Sequence, residues 1–120
     1  MISGAVSANG VPAILIEIGG KVYRAIIDTG FNSDLELPVE LKTRLESKLV
    51  GTATFSLAAD VIVEEDVYQV DFPFDGRTVR ADATFVNGDE ILIGAHLLRH
   101  YRLTINFVAR TVRLQRVSKK

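Results

Sequence analysis

The chain has 120 residues, 48% of them hydrophobic, and its 14 basic residues nearly balance 15 acidic ones for a net charge of −1. This length fits one domain spanning residues 1–120 and leaves no room for two. The balanced charge argues against a nucleic-acid-binding protein, which normally shows a clear basic excess. Because there is no cysteine, disulfides and thiolate metal sites are excluded.

Nothing in the sequence predicts a membrane-spanning or secretory segment. The first 12 residues lack the basic start and the long apolar run of a signal peptide. No stretch approaches the roughly 20 apolar residues that are needed to cross a bilayer. We therefore expect a soluble, cytoplasmic protein with no membrane partner.

The first patterned segment of the chain predicts a β-hairpin. Residues 13–18 form an apolar run rich in β-branched side chains, and a pair of glycines follows as a strong turn signal. Residues 21–27 resume the strand pattern, which stops at the polar triplet Asp28-Thr29-Gly30. The triplet is therefore expected where a buried strand ends.

A helix is predicted next, followed by a β-rich stretch. Leu41, Leu45 and Leu49 recur every four residues after Pro38, which predicts a short amphipathic helix that ends at Gly51. The remaining predicted elements are strands 52–57, 67–74, 77–86 and 91–93, a two-turn helix over 95–101, a closing hairpin of strands 102–107 and 111–117, and a frayed tail, Lys119-Lys120. The fold class is mostly β, with one or two short helices, and closed enough to suggest a barrel.

The triplet Asp28-Thr29-Gly30 has two interpretations. A carboxylate at the end of a buried strand lies at the mouth of the core, where it can serve in proton transfer. Alternatively, Asp28 caps a turn by accepting hydrogen bonds from nearby backbone amides, with Thr29 assisting. The triplet alone does not decide between the two.

The order of the motifs along the chain is more specific than the triplet. Apolar residues 25–27 precede the triplet, a candidate flap hairpin spans 54–70, and the apolar pair Leu92-Ile93 is followed by Gly94 and the second predicted helix. In this order, over residues 14–114, the chain resembles the retropepsin-like aspartic proteases, which include the retroviral proteases and small bacterial relatives. The resemblance implies an acid-protease-like β-barrel that forms one half of a two-fold dimer.

The resemblance also implies a reaction. Peptide hydrolysis by water needs a base and an acid, and two carboxylates that share one proton supply both. Because the chain has one such triplet, the catalytic Asp28 would have to meet its symmetry mate in a homodimer. Thr29 would bond across the two-fold axis, Gly30 would leave room for the substrate backbone, and Gly94 would let its strand pack beneath the loop. We expect an aspartic endopeptidase with no metal or organic cofactor, most active at mildly acidic pH.

The predicted substrate-binding residues follow the triplet or form the tip of the flap: Phe31, Asn32, Leu57, Ala58, Ala59 and Asp60. A flap over a bound peptide would exclude water and add backbone hydrogen bonds to an extended substrate. The tip contains no glycine, and a plain hairpin without a gating role is the alternative. Phe31 stands where many members of the family place Ala or Ser, and we interpret its ring as filling the core or the dimer contact.

Two departures from the family pattern concern the dimer. Viral members pair an acidic residue just past the triplet with an Arg just past the later glycine, whereas this chain has Asn32 and Ala95. Viral chains also stop near the position of Phe107, whereas this chain continues through residues 111–117, an extra strand that we expect to pair with 102–107. Both departures predict a dimer that is stabilised differently.

Three other clusters receive ordinary interpretations. His96 and His100 have a spacing that could bind metal, but no third ligand lies nearby in the sequence. The acidic run 64–66 is typical of a solvated turn. The basic C-terminal end lacks interleaved aromatic residues, so no nucleic-acid partner is expected.

The alternative function is a non-catalytic dimerisation or peptide-binding module on the same fold, because a fold does not fix a function. The intact Asp28, Thr29 and Gly30 favour the enzyme. The flap without glycine and the bulky Phe31 favour the module. Both functions predict a dimer.

Overall fold

The computed structural model describes residues 1–118, and the tail predicted to fray, Lys119-Lys120, lies outside them. Most of this part of the chain is in ten strands: β1 Ile2–Val6, β2 Pro12–Ile18, β3 Lys21–Ile27, β4 Leu35–Pro38, β5 Ser47–Ser56, β6 Ile62–Phe74, β7 Arg77–Val86, β8 Ile91–Ile93, β9 Tyr101–Asn106 and β10 Thr111–Arg116. The helical segments of residues 1–118 are two short 3-10 turns, Val39–Arg44 and Ala58–Asp60. The prediction of a mostly β fold with few helices is confirmed.

All ten strands belong to one sheet, in the order β5-β6-β7-β4-β8-β3-β2-β1-β10-β9. Most neighbours are antiparallel, but β3 pairs with β8 and β4 pairs with β7 in parallel. The sheet folds over so that β2 packs against β6, yet β5 and β9 remain its two edges. The prediction of a closed barrel is therefore wrong. The reason lies in β5, whose mostly exposed side chains show that it leaves the packed part of the sheet as a ribbon.

The core lies on the inner face of the folded sheet. In β2, Ile14, Ile16 and Ile18 are buried while Leu15 and Glu17 are exposed, as expected for a strand with one face against the core. The other strands bury the same kind of side chain, among them Leu35, Leu37, Val70, Phe72, Phe74, Ile91, Ile93, Val112 and Leu114. This period of two explains why the hairpin of β2 and β3 is predictable from the sequence.

The predicted helix after Pro38 is wrong beyond its first turns. A 3-10 segment occupies Val39–Arg44, and β5 begins at Ser47. Leu41 and Leu45 pack on the core, but Leu49 is 56% exposed. The spacing of four residues therefore does not reflect one helical face, because the third leucine belongs to a strand.

The predicted helix over 95–101 is also wrong. Residues 95–100 form consecutive tight turns, in which the amides of Leu98 and Arg99 donate to the carbonyls three residues earlier. Leu97 and Leu98 are nevertheless buried. Turns suffice to bury them because β9 begins at Tyr101.

The C-terminal hairpin of β9 and β10 is confirmed, but two short strands, β1 and β4, are not found by sequence reasoning. β10 pairs with β9 on one side and with β1 on the other. Both edges of the closing strand are thus occupied within one protomer. No helix of residues 1–118 is long and apolar enough to cross a membrane.

Candidate active site

Asp28 directly follows β3, at a point where two parallel strands end together. Ile27 of β3 is in register with Ile93 of β8. The amide of Asp28 donates a hydrogen bond of 2.9 Å to the carbonyl of Ile93. The sheet therefore fixes the backbone of Asp28, while its side chain lies half-buried at the surface.

The triplet forms a tight turn around the Asp28 carboxylate. Asp28 Oδ1 accepts a hydrogen bond of 3.0 Å from the amide of Gly30, and the amide of Phe31 donates to the carbonyl of Asp28 at 3.1 Å. This is the contact that the turn-capping interpretation predicts. It also orients the carboxylate, so the geometry is compatible with both interpretations. Thr29 and Gly30 are exposed beside it.

Residues 28–34, which we call the Asp28 loop, pack on the turn that follows β8. The amide of Ala95 donates to the carbonyl of Phe31 at 2.8 Å, and the amide of Gly94 donates to the carbonyl of Asp34 at 3.0 Å. A side chain at Gly94 would clash with the backbone carbonyls of Ser33 and Phe31. The prediction that a glycine here permits close packing beneath the loop is confirmed.

Sequence reasoning missed a side-chain pair at the end of the Asp28 loop. Asp34 is buried and lies 2.6 Å from Nδ1 of His96. The histidine that was weighed as a metal ligand with His100 thus contacts a carboxylate. Within residues 1–118 no group of three or more His, Cys, Asp or Glu side chains could hold a metal ion.

The departures at Asn32 and Ala95 gain a structural context from this pair. The acidic residue of the contact is Asp34, two positions after Asn32, and its partner His96 directly follows Ala95. An acidic side chain of the loop therefore contacts a side chain of the turn after β8, but at other positions than the expected pair at Asn32 and Ala95.

A cleft of about 640 Å³ opens beside Asp28, between the Asp28 loop and the hairpin of β5 and β6. Five of the predicted site residues line it: Asp28, Gly30, Phe31, Asn32 and Leu57. Nine other residues complete the lining and were missed: Glu36, Thr54, Phe55, Ser56, Val63, Glu65, Thr84, Val86 and Leu92. Most of the missed residues come from strands far apart in the sequence, which only the sheet order brings together.

The other predicted site residues lie outside the lining of this cleft. Thr29 is exposed next to it, and Ala58, Ala59 and Asp60 form the exposed tip of the hairpin. The hairpin is closed at its tip by a 2.7 Å hydrogen bond from the amide of Leu57 to the carbonyl of Val61. In place of a glycine, Ala59 and Asp60 adopt left-handed backbone angles, with φ of 62° and 60°.

Phe31 joins the Asp28 loop to the hairpin. Its ring centroid lies 6.4 Å from that of Phe55 on β5, with the planes tilted by 42°. Aromatic pairs at this separation attract one another. The ring is half-buried and faces the cleft, so it does not fill the core as one of the interpretations held.

A second carboxyl group of the cleft, Glu36, has a perturbed pKa. Burial of the Glu36 side chain raises its pKa, and the carboxylates of Glu65 and Asp28 raise it further. The signal for this residue was weak, because Leu35-Glu36-Leu37 is too short a pattern to identify β4 and its outward face. Three carboxyl groups therefore line one cleft, and the other two disfavour the ionisation of Glu36.

Comparison with solved structures identifies the fold. A retropepsin-like aspartic protease from Rickettsia conorii matches with a TM-score of 0.66 and 20% identity, covering 94% of this chain and 88% of that chain. The simian foamy virus protease matches with a TM-score of 0.56 and 22% identity, covering 72% of this chain and 91% of that chain. No family model and no curated protein matches the sequence. The chain has the retropepsin-like fold, as its sequence resemblance predicted.

Proposed function

We propose that the protein is an aspartic endopeptidase, which hydrolyses peptide bonds with a water molecule activated by Asp28 and the Asp28 of a second copy. The observation that carries the proposal is the position of Asp28. Its backbone is anchored to β8, its carboxylate is oriented by Gly30, and it faces a cleft that a hairpin borders. The proposal is also supported by the fold, which the chain shares with a retropepsin-like aspartic protease from Rickettsia conorii.

The homodimer follows from the chemistry of the reaction. One carboxylate cannot at the same time take a proton from water and protonate the carbonyl oxygen of the peptide. Two carboxylates at close range share one proton, so one acts as base and the other as acid. The exposure of Thr29 and Gly30 beside Asp28 supports such a contact, because the surface there is open to a second Asp28 loop.

The proposed substrate is an extended peptide with apolar side chains near the scissile bond. Phe31, Phe55, Leu57 and Leu92 supply apolar surface to the cleft. Asn32 and the hairpin tip, residues 58–60, would contact the peptide as the hairpin closes over it. No metal or organic cofactor takes part in this mechanism.

The alternative, a non-catalytic dimerisation or peptide-binding module, predicts the same dimer and the same cleft. The contact between Phe31 and Phe55 favours it, because this contact ties the hairpin to the loop. The two functions differ in whether a bound peptide is cut.

Cleavage of a diverse peptide library tests the proposal. Wild type and Asp28→Asn are incubated with the library between mildly acidic and neutral pH, and the products are identified by mass spectrometry. Because Asn has the shape of Asp but cannot act as a base, cleavage should disappear in Asp28→Asn. Asp89→Asn, which changes an exposed carboxylate in the turn before β8, is the matched control and should cleave like wild type.

Sedimentation of the same samples separates the two functions. If wild type and Asp89→Asn cleave peptides and Asp28→Asn does not, the result supports the enzyme. If no protein cleaves and all three form the same dimer, the binding module is the better description. Equal cleavage by Asp28→Asn and wild type would contradict the role of Asp28.

A further inference from the structure

Asp34 is a buried carboxylate that the proposed reaction does not use. Its exposed fraction is 5%. Its Oδ2 accepts a hydrogen bond of 2.9 Å from the amide of Asp82 on β7, and its Oδ1 lies 2.6 Å from Nδ1 of His96. A buried carboxylate is tolerated where hydrogen-bond donors replace the water it has lost. Both donors are therefore needed to keep Asp34 in this position.

The carboxylate determines the tautomer of the histidine. An ionised carboxylate only accepts hydrogen bonds, so the contact with Asp34 requires a proton on Nδ1 of His96. Nη1 of Arg99 lies 3.4 Å from the same nitrogen, which then has no lone pair to accept a bond. Arg99 donates instead to the carbonyl of His96 at 2.7 Å. This bond holds His96 within its own turn, with Nδ1 directed at Asp34.

The pair joins three elements at one end of the Asp28 loop. Asp34 is the last residue before β4, His96 lies in the turn after β8, and Asp82 belongs to β7. At the other end of the loop, the amide of Asp28 is bonded to Ile93 of β8. The loop is thus held at both ends, and the charge-assisted contact of Asp34 with His96 is the stronger kind of side-chain hydrogen bond.

We propose that Asp34 and His96 are positioning residues of the active site. Their contact holds the Asp28 loop on the turn after β8 and thereby sets the direction of the Asp28 carboxylate. This inference rests on the proposed function, because the direction of Asp28 affects a rate only if Asp28 takes part in a reaction. The role of His96 requires the Nδ1–H donor.

Two substitutions of His96 distinguish positioning from a merely structural role. The amide N–H of Asn in His96→Asn can replace the Nδ1–H donor, whereas His96→Leu fills similar space without a donor. The His96 side chain is 53% exposed, so neither change opens a cavity in the core. Values of kcat and KM are measured for a peptide that wild type cleaves, at a temperature at which circular dichroism shows all variants folded.

The expected result is a loss of kcat that a donor restores. His96→Leu should lower kcat roughly tenfold to hundredfold with KM changed by less than about twofold, because a misplacement of about 1 Å can cost ~10²-fold in rate. His96→Asn should keep kcat within about threefold of wild type. A folded His96→Leu with the kcat of wild type would overturn the inference, as would an equal loss of kcat in both variants.

Amide hydrogen exchange tests the same contact without any cleavage. The amides of Gly94 and Ala95 donate to the Asp28 loop, so they should exchange faster in His96→Leu than in wild type or His96→Asn. Unchanged exchange in His96→Leu would contradict the inference. A wild type that cleaves no peptide overturns the proposed function by itself, and the exchange result then still decides whether the pair holds the loop.

Discussion

The Asp28 loop and the hairpin of β5 and β6 face each other across the cleft but are held in opposite ways. The loop is bonded to β8 and its following turn by four backbone hydrogen bonds, whose donors are the amides of Asp28, Gly94, Ala95 and His96. It ends in buried Asp34. The outer part of the hairpin is held largely by its own pairing, because β6 pairs with β7 only from Tyr68 onward and β5 is an edge strand with mostly exposed side chains. The Asp28 loop, fixed on β8, thus positions the carboxylate. The weakly packed hairpin, which opens at lower cost, borders the access to it.

These two regions meet through contacts of opposite sign. The rings of Phe31 and Phe55 attract one another across the cleft, a contact worth about 0.5–1.5 kcal/mol beyond the burial of area. Burial raises the pKa of Glu36 on β4, and the carboxylate of Glu65 on the hairpin raises it further, so these two groups repel one another when both are ionised. The attraction between the rings is modest, and the repulsion between the carboxylates opposes it. Small changes in sequence or pH should therefore shift the hairpin without disturbing the Asp28 loop.

The largest effect on stability is expected where the packing of the Asp28 loop on the turn after β8 is disrupted. In Gly94→Ala the new Cβ would lie 2.7 Å from the carbonyl oxygen of Phe31 and closer still to that of Ser33. Because backbone must move to relieve this overlap, the free energy of unfolding should fall by about 1–3 kcal/mol or more. The measurement is the midpoint of urea-induced unfolding.

Gly88→Ala is the matched control for this substitution. No atom lies within 4 Å of a Cβ built at Gly88, and its φ is not in the left-handed region. Its stability should therefore stay within about 0.5 kcal/mol of wild type. Equal midpoints for both variants would show that the Asp28 loop moves at little cost. The loop would then not be held more rigidly than the hairpin.

The same contrast explains which parts of the molecule could be predicted from the sequence. In β2 and β3 apolar residues are frequent or alternate over seven positions, and Gly94 follows an apolar run. Local patterns therefore suffice to predict these parts of the fold. β5 has no such pattern, because both of its faces are largely exposed. Its first part was therefore mistaken for a helix on the spacing of three leucines.

Within the site, the residues next to the triplet were predictable, and those that meet it through tertiary contacts were not. Asp28, Phe31 and Asn32 are identified by their adjacency to one motif. Asp34 gains its meaning from His96, which lies 62 positions later. Glu36 becomes part of the cleft because β4 pairs in parallel with β7, a non-local pairing that no local pattern encodes.

A smaller effect on stability, dependent on pH, is expected at Glu36, which the carboxylate of Glu65 on the hairpin repels. The pKa of Glu36 is raised in the folded state above its ordinary value of 4.5. The folded state therefore binds this proton more tightly than the unfolded state, and stability falls as pH rises from 4.5 through the raised value. Glu36→Gln cannot ionise. It should match wild type below pH 4.5 and be more stable at neutral pH, by less than about 1 kcal/mol because the cleft is partly solvated.

Urea unfolding at a series of pH values measures this difference. Glu65→Gln removes one of the two repelling charges and should give a smaller gain over the same pH range. Glu64→Gln, the exposed neighbour on β6, should change stability by no more than about 0.5 kcal/mol. A gain in Glu36→Gln that is the same at low and at neutral pH would point to packing and not to charge.

The smallest effect is expected at the tip of the hairpin, where the backbone is strained. Ala59 has a φ of 62°, a conformation that costs a residue with a Cβ roughly 1–2 kcal/mol. Ala59→Gly relieves this cost but loses about 0.5–1 kcal/mol of chain entropy. Ala58→Gly, one residue earlier and without a positive φ, suffers the loss of entropy alone. The exchange rate of the Leu57 amide, which closes the tip, should therefore fall or stay unchanged in Ala59→Gly and rise in Ala58→Gly.

These two variants also distinguish a flap from a plain hairpin. If the tip closes over a peptide, its opening equilibrium is part of substrate binding, so variants that shift the equilibrium in opposite directions should shift kcat/KM as well. If the hairpin has no gating role, the exchange of the Leu57 amide changes while kcat/KM does not. The pair thus tests function at a turn that favours glycine but is built from alanine and aspartate.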